Sequence, residues 1–379
     1  MNKRVWLCVS LLAVFSMLIA ACGSAGVKDT PTEVPAVSPT DAPAVQAETP
    51  VTTEPEPEAK FKFSLVTPNP RGDRSFIDAS IRGAEKAMAE LPVDGSIIES
   101  QGVSDQEAAL RSAISQENDI VLALAIEADT LLALAAEYPD QKFGVPSELF
   151  VDEVPGNVTA FQINVHEGSF LAGLVAGKLT KTKTVGAVVG GDSPGLNQFF
   201  YAYKQGILEV CPDCKVLVSY LNFDFGNPTL GKETALGQYS QGADIIFQVA
   251  GRSGEGVLSA AAEKGLYAIG VDSNQDDIAA GNVIVSVMKR VDQTTYLLVK
   301  NTLEGNFTPG FNTIGMKDGA VALSWDEGSP TFADKGPADM VKLLPEIKTL
   351  VEEYRGKILN GEYEVCNALV ETDVCTPLK

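Results

Sequence analysis

The stretch 243–275, ADIIFQVAGRSGEGVLSAAAEKGLYAIGVDSNQ, constrains the fold more than any other part of the chain. Its apolar run Ile245, Ile246, Phe247 and Val249 reads as a buried strand, which empties into a Gly-rich turn at Gly251, Gly254 and Gly256. Val257, Leu258, Ala261 and Ala262 then recur at helical spacing as far as Gly265, and a second apolar run, 267–271, stops at Asp272. Strand, loop, helix and strand in this order make a βαβ unit, whose strands lie parallel in one sheet. Such sheets gather their ligand groups at the carboxyl ends of the strands. Gly251 and Asp272 fall at two such ends, so they are expected to face a shared cleft.

The same alternation runs through most of the chain. From Phe61 the pattern predicts strands at 61–66, 96–99, 119–125, 142–145 and 158–163, with helices at 75–91, after Ser104, and at 129–137. Ser104, with Glu107 three residues on, has the spacing of a capping box. A second series places helices at 167–179, 198–210 and 229–240, strands at 185–189, 216–220 and 283–288, and a helix at 292–303. Beyond Gly305 the signal weakens to a short strand at 321–323 and an amphipathic helix at 338–359. Two βα series of similar size imply an α/β protein of two similar lobes.

Before Phe61 the sequence is of another kind. Lys3 and Arg4 precede an apolar core, 5–20, which closes with Ala20-Ala21-Cys22. This arrangement resembles a bacterial lipobox, which implies a signal peptide over 1–21 and a lipid on Cys22; the other reading is an ordinary signal peptide that happens to contain a cysteine. Residues 23–59 hold no aromatic side chain and carry seven prolines, the composition of an extended tether that buries no core. With Lys3 and Arg4 removed, the formal charge moves from −21 to −23. That balance excludes nucleic acid and anionic surfaces as partners, because both need a basic face.

Cys8 leaves with the signal and Cys22 carries the lipid, so of six cysteines Cys211, Cys214, Cys366 and Cys375 remain. An even remainder outside the cytoplasm suggests disulfides. Cys211-Pro-Asp-Cys214 has redox spacing but lies between a helix and a strand, where a loop staple or free thiols fit better than catalysis; a Cys366–Cys375 bridge would pin the tail.

Several chemistries fail on spacing. Gly251, Gly254 and Gly256 read GxxGxG, not the dinucleotide fingerprint GxGxxG. The run Gly226 to Glu233 matches a P-loop except that Glu233 stands where Ser or Thr must hold magnesium. There is one histidine, His166, read as a capping or exposed residue at a helix start, and no GxSxG elbow. Neither an enzyme nor a metal or cofactor protein is expected. What recurs is a set of groups at strand ends: Asp73 and Phe76, Phe223 and Phe225, Gly251, Asp272 and Lys289. Aromatic faces hold flat groups, a carboxylate accepts from vicinal hydroxyls, and a lysine donates. That set suits a sugar or a nucleoside.

Gly270-Val-Asp-Ser-Asn-Gln275, the run Gly242 to Gly251, and Ser286-Val-Met-Lys-Arg-Val-Asp292 resemble the basic membrane lipoprotein family. Further matches are Asp73-Arg-Ser-Phe76, Tyr138-Pro-Asp140, Glu167 to Gly173 and Gly231-Lys-Glu233, and the resemblance covers about 61–323. The family comprises purine-nucleoside-receptor-like substrate-binding proteins of ABC transporters. The resemblance implies a type I periplasmic-binding-protein fold with two Rossmann-like lobes, 61–164 plus 290–308 and 165–289 plus 309–360, followed by a tail over 361–379. It places ribose contacts on Asp272, Gly251 and Lys289, a stacking ring on Phe225 and a second on Phe76, with Asp73 and Asp78 in the facing loop. It also implies a monomer that delivers its ligand to a permease and ATPase. Three first-lobe segments depart from the family pattern: Ile77 replaces an Asn, the third strand ends Leu122-Ala-Leu-Ala-Ile126, and Pro146-Ser147-Glu148 replaces an expected acid. These departures leave open a sugar or other small metabolite as ligand, or a surface sensor role.

Overall fold

Two six-stranded sheets stand at the centre of two lobes. The structure, a computed structural model, describes residues 60–370 and 373–378, and the chain from Glu58 onward forms one unit. The expected signal peptide over 1–21, Cys22 and the tether expected over 22–60, apart from Lys60, lie outside the described residues.

The first lobe runs β1 (Phe61–Thr67), α1 (Phe76–Glu90), β2 (Val93–Glu99), α2 (Val103–Ile114), β3 (Ile120–Ala123), α3 (Ala128–Glu137), β4 (Phe143–Val145) and β5 (Val158–Ile163). The chain then crosses to α4 (Val165–Leu179), β6 (Thr184–Val189), α5 (Pro194–Val210), β7 (Lys215–Tyr220), α6 (Pro228–Ser240), β8 (Ile245–Val249), α7 (Gly251–Lys264), β9 (Tyr267–Asp272) and β10 (Val283–Lys289). It returns with α8 (Val291–Leu303) and β11 (Gly310–Ile314), and crosses again to β12 (Val321–Leu323), α9 (Thr331–Lys335), α10 (Ala338–Val341) and α11 (Leu344–Leu359).

The sheet orders are β11-β5-β4-β3-β1-β2 and β12-β10-β9-β8-β6-β7. In both lobes the first five strands follow one another as 2-1-3-4-5, all parallel, and only β12 runs antiparallel to its neighbour. This is the doubly wound order, with its switch point between the first and third strands. Strands β3, β8 and β10 are buried along their whole length, as continuous apolar runs require when helices cover both faces.

Four local expectations are corrected. β11 pairs with β5 in the first sheet, so the first lobe extends past residue 308 to Ile314. Ser104 does not cap α2: the helix begins one residue earlier, Gly102 is the capping position, and the Ser104 hydroxyl turns to Asp105. The predicted helix 338–359 is divided into α10 and α11, with Pro345 in the first turn of α11, where a missing N–H costs nothing. His166 is neither exposed nor a cap: it is buried between α4 and α5, its Nδ1 3.2 Å from Gln198 Oε1, and burial pushes it down to about 4.

The expected Gly-rich turn is instead the first two turns of α7, and its glycines serve packing. A Cβ on Gly256 would lie 1.9 Å from the Pro228 carbonyl oxygen, and one on Gly254 1.7 Å from Gln248 Oε1. These positions let α7 press on α6 and on the end of β8. Disulfides join Cys211 to Cys214 and Cys366 to Cys375. The second closes a loop in the tail that docks on α5, where Lys204 Nζ donates to the Leu378 carbonyl at 2.8 Å and the Cys366 N–H donates to Gln205 Oε1 at 2.8 Å.

Candidate functional site

The carboxyl ends of both sheets face each other, and the sequence-selected residues of the second lobe converge there. Asp272 closes β9 and Lys289 closes β10; Met288 is the partner of Asp272 in this parallel pair, so the ammonium lies one residue beyond the carboxylate. Asp272 sits at φ +63, a backbone conformation costly for a residue with a Cβ and found at sites where surrounding structure enforces it. Gly251, at φ +54, opens α7 on the neighbouring strand, and its Cα side faces Phe225, to which an added Cβ would approach 3.6 Å. Phe225 is half-buried and lies against Gly190, at the end of β6, where an added Cβ would meet the ring at 2.1 Å. Phe223 is instead mostly exposed, packed on Gly191.

A buried polar network behind these residues fixes the two loops. Gln275 Oε1 accepts from Gln248 Nε2 at 2.6 Å and from the Val271 N–H at 3.0 Å. The Gln275 N–H donates to Ser286 Oγ, whose own proton goes to Asp276 at 2.8 Å. Gln248 and Gln275 are fully buried and paired, so they specify loop geometry rather than solvate it.

From the first lobe, the loop before α1 supplies different groups from those expected. Asp73 is buried and accepts the N–H groups of Ser75, Ile77 and Asp78 at 2.8–3.0 Å, satisfying the open start of α1. Burial nonetheless holds its carboxyl above the ordinary range, against those three bonds. Asp78 accepts from the N–H groups of Gly72 and Arg74 at 2.7 and 2.9 Å. Both acids are therefore engaged with their own loop. The group that crosses the cleft is Ser75, whose Oγ donates to Asp272 Oδ2 at 2.5 Å. Arg82 Nη2 donates to Ser273 Oγ at 2.8 Å, a second bond between lobes.

Lys289 is met from the first lobe as well. Its Nζ lies 2.7 Å from Glu148 Oε2, with the two side chains only 7% and 10% exposed. Phe76 of α1 lies under the same ammonium at 5.1 Å and Phe199 of α5 at 5.8 Å, within cation–π range. Burial pushes Asp272 up to about 6; Lys289 and the Ser75 bond pull it back, and the nearby carboxyls Asp73 and Glu148 add to the rise.

Ser75, Glu148 and Phe199 escaped the sequence reading. Glu148 lies in the segment where the family acid is displaced, and that displacement was its signal. Ser75 stands inside the Asp73–Phe76 motif but looks like a helix cap; Phe199 is indistinguishable in sequence from a core residue of α5. A surface depression of about 560 Å³, lined by Asp119, Glu137, Tyr138 and Asp140, lies at the opposite ends of β3 and β4 and holds none of the selected groups. Among the described residues no cluster of His, Cys, Asp and Glu is arranged for a metal ion, and no helix is long and apolar enough to cross a membrane.

Two doubly wound lobes with facing strand ends make a type I periplasmic-binding-protein fold, the fold of solute-binding proteins of ABC transporters. A solved solute-binding protein of this transporter class from Aeropyrum pernix K1 superposes with a TM-score of 0.71 at 28% identity, covering 82% of this chain and 94% of that one. The chain belongs to the Bmp family, described as "ABC transporter substrate-binding protein PnrA-like", whose profile matches residues 60–354. Among curated relatives, Basic membrane protein D of Borreliella burgdorferi is 32% identical over 277 residues, 71% of this chain and 80% of the relative. A protein named as an uncharacterized lipoprotein of Pyrococcus furiosus is 29% identical, across 77% of this chain and 81% of its own length. The family consists of substrate-binding proteins, not enzymes.

Proposed function

We propose that this substrate-binding protein captures a nucleoside, a purine nucleoside first, and that it is tethered to the outer face of the membrane through lipid on Cys22. The observation that carries the reading is the placing of Asp272 and Lys289 at adjoining strand ends, with Phe76 of the first lobe against Lys289 and Phe225 of the second against Gly251. A carboxylate beside an ammonium matches a vicinal diol, which donates to one and accepts from the other. Rings on opposite lobes suit a flat base, which they would sandwich when the lobes close. The Gly251 backbone approaches the sugar without a side chain in the way. In this reading Asp73 and Asp78 shape the loop that offers Ser75 and Phe76. The closed, monomeric form engages the permease and its ATPase.

Mass spectrometry of ligand released from protein purified under native conditions, followed by calorimetry with nucleosides, free bases and pentoses, tests this. Nucleosides are expected to bind at least about tenfold more tightly than either fragment, since each fragment loses one half of the contacts. Equal binding of pentoses alone would replace the nucleoside reading with a sugar.

A further inference from the structure

Lys289, the ammonium at the strand ends, is already neutralised. Lys289 meets Glu148 at 2.7 Å on the first-lobe side and has Asp272 beside it on the second. Glu148 is anchored in its own lobe, its Oε1 accepting the Ile163 N–H at 3.4 Å. With Asp73 buried nearby, the enclosed carboxylates outnumber the cation. Arg82 is exposed and donates to Ser273 Oγ. At the start of α7, where a phosphate would ordinarily find backbone donors, the Ser253 N–H is already bonded to the Phe225 carbonyl at 3.0 Å and the Gly254 N–H to Ala250 at 3.3 Å. A phosphate needs uncompensated donors and cations, and like charge in a low-dielectric cleft repels it strongly.

We infer that Glu148 is a specificity-determining counter-ion: by neutralising Lys289 it restricts the cleft to uncharged ligands, admitting a nucleoside and rejecting its phosphorylated form. The inference rests on the nucleoside reading above and deepens it. It assigns Glu148 a repulsive task toward the wrong ligand, the component of selectivity that attractive contacts alone do not supply.

The test is calorimetry on the whole chain with guanosine and guanosine 5′-monophosphate, for the parental protein, Glu148→Gln and Glu148→Asp, with thermal unfolding to confirm that each variant is folded. The readout is the ratio of the two affinities. The parental protein is expected to prefer the nucleoside at least about a hundredfold, Glu148→Gln to narrow that ratio about tenfold, and Glu148→Asp, which keeps the charge, to preserve it. A ratio unchanged in Glu148→Gln while guanosine still binds overturns the inference and leaves the nucleoside reading standing. So does a ratio narrowed as much by Asp as by Gln, or a parental protein that takes both ligands alike. If neither nucleoside nor monophosphate binds the parental chain, the nucleoside reading fails and this inference fails with it.

Discussion

Replacing Asp272 with Asn separates the charge of this residue from its shape. The carboxylate is buried at 8% exposure and accepts the Ser75 hydroxyl, and burial raises it from an ordinary 3.8 to about 6. A charge-assisted contact to ligand hydroxyls is worth about 1.5–3 kcal/mol, so Asp272→Asn should weaken nucleoside binding about ten- to a hundredfold at pH 7. With a pKa of about 6, roughly nine-tenths of the carboxyl is ionised at pH 7 and roughly one-tenth at pH 5. Parental affinity should therefore fall about tenfold over that interval, and the Asn variant should show no such slope. Stability moves in the opposite direction. The unfolded chain loses this proton before the folded one, so the contribution of Asp272 to folding declines as pH rises from about 4 to about 6, by roughly 3 kcal/mol in all. Calorimetry across pH, paired with denaturant unfolding of both proteins, measures the two slopes. An Asn variant that keeps the parental pH dependence of binding would refute the assignment of Asp272 as the acceptor.

Three further outcomes are expected. Phe225→Ala should cost about 1–3 kcal/mol of nucleoside binding, and Gly190→Ala, whose new Cβ displaces the Phe225 ring, should reproduce much of that loss in the same titration with little change in melting temperature. Lys289→Met leaves the Glu148 carboxylate buried without its cation and should lower unfolding free energy by about 3–5 kcal/mol, whereas the double change with Glu148→Gln should recover most of it in denaturant melts. Replacing Cys366 and Cys375 by Ser opens a loop of nine residues and should lower stability by about 2–3 kcal/mol, with hydrogen exchange rising along α5 near Lys204 and Gln205 while ligand affinity holds.

Most of the architecture was legible because both lobes are built from strands buried on two faces, which announce themselves as apolar runs ending in polar loops. β11 escaped because Gly310–Ile314 is only half-buried and carries Asn312 and Thr313, so its edge position hides the apolar signal. Ser104 and Glu107 satisfied the spacing of a capping box, but the chain reaches α2 through Gly102 and the helix starts too early for Ser104 to cap it. Within the site, Asp272, Gly251 and Lys289 were readable as strand-end residues of one lobe. Contacts between lobes were not, since Ser75 and Asp272 are separated by 197 residues and nothing local in either segment encodes the meeting. Gln248 and Gln275 did leave a trace: a glutamine inside an otherwise apolar strand, and a second just past the next strand, mark a buried pair whose amides must satisfy each other.

Lys289 ends β10, and one residue later the chain has already left for α8 in the other lobe. The cation proposed to meet the ligand is thus also the last residue of β10 before a crossover. If Lys289 holds the ligand as proposed, force on its side chain bears on the joint with almost no lever arm, and occupancy and interlobe angle would be joined through the short segment 289–291 instead of a relay of packed side chains. Small changes of sequence at 289–291 should consequently retune opening and affinity together, which makes this short segment the natural place to adjust a biosensor built on the scaffold.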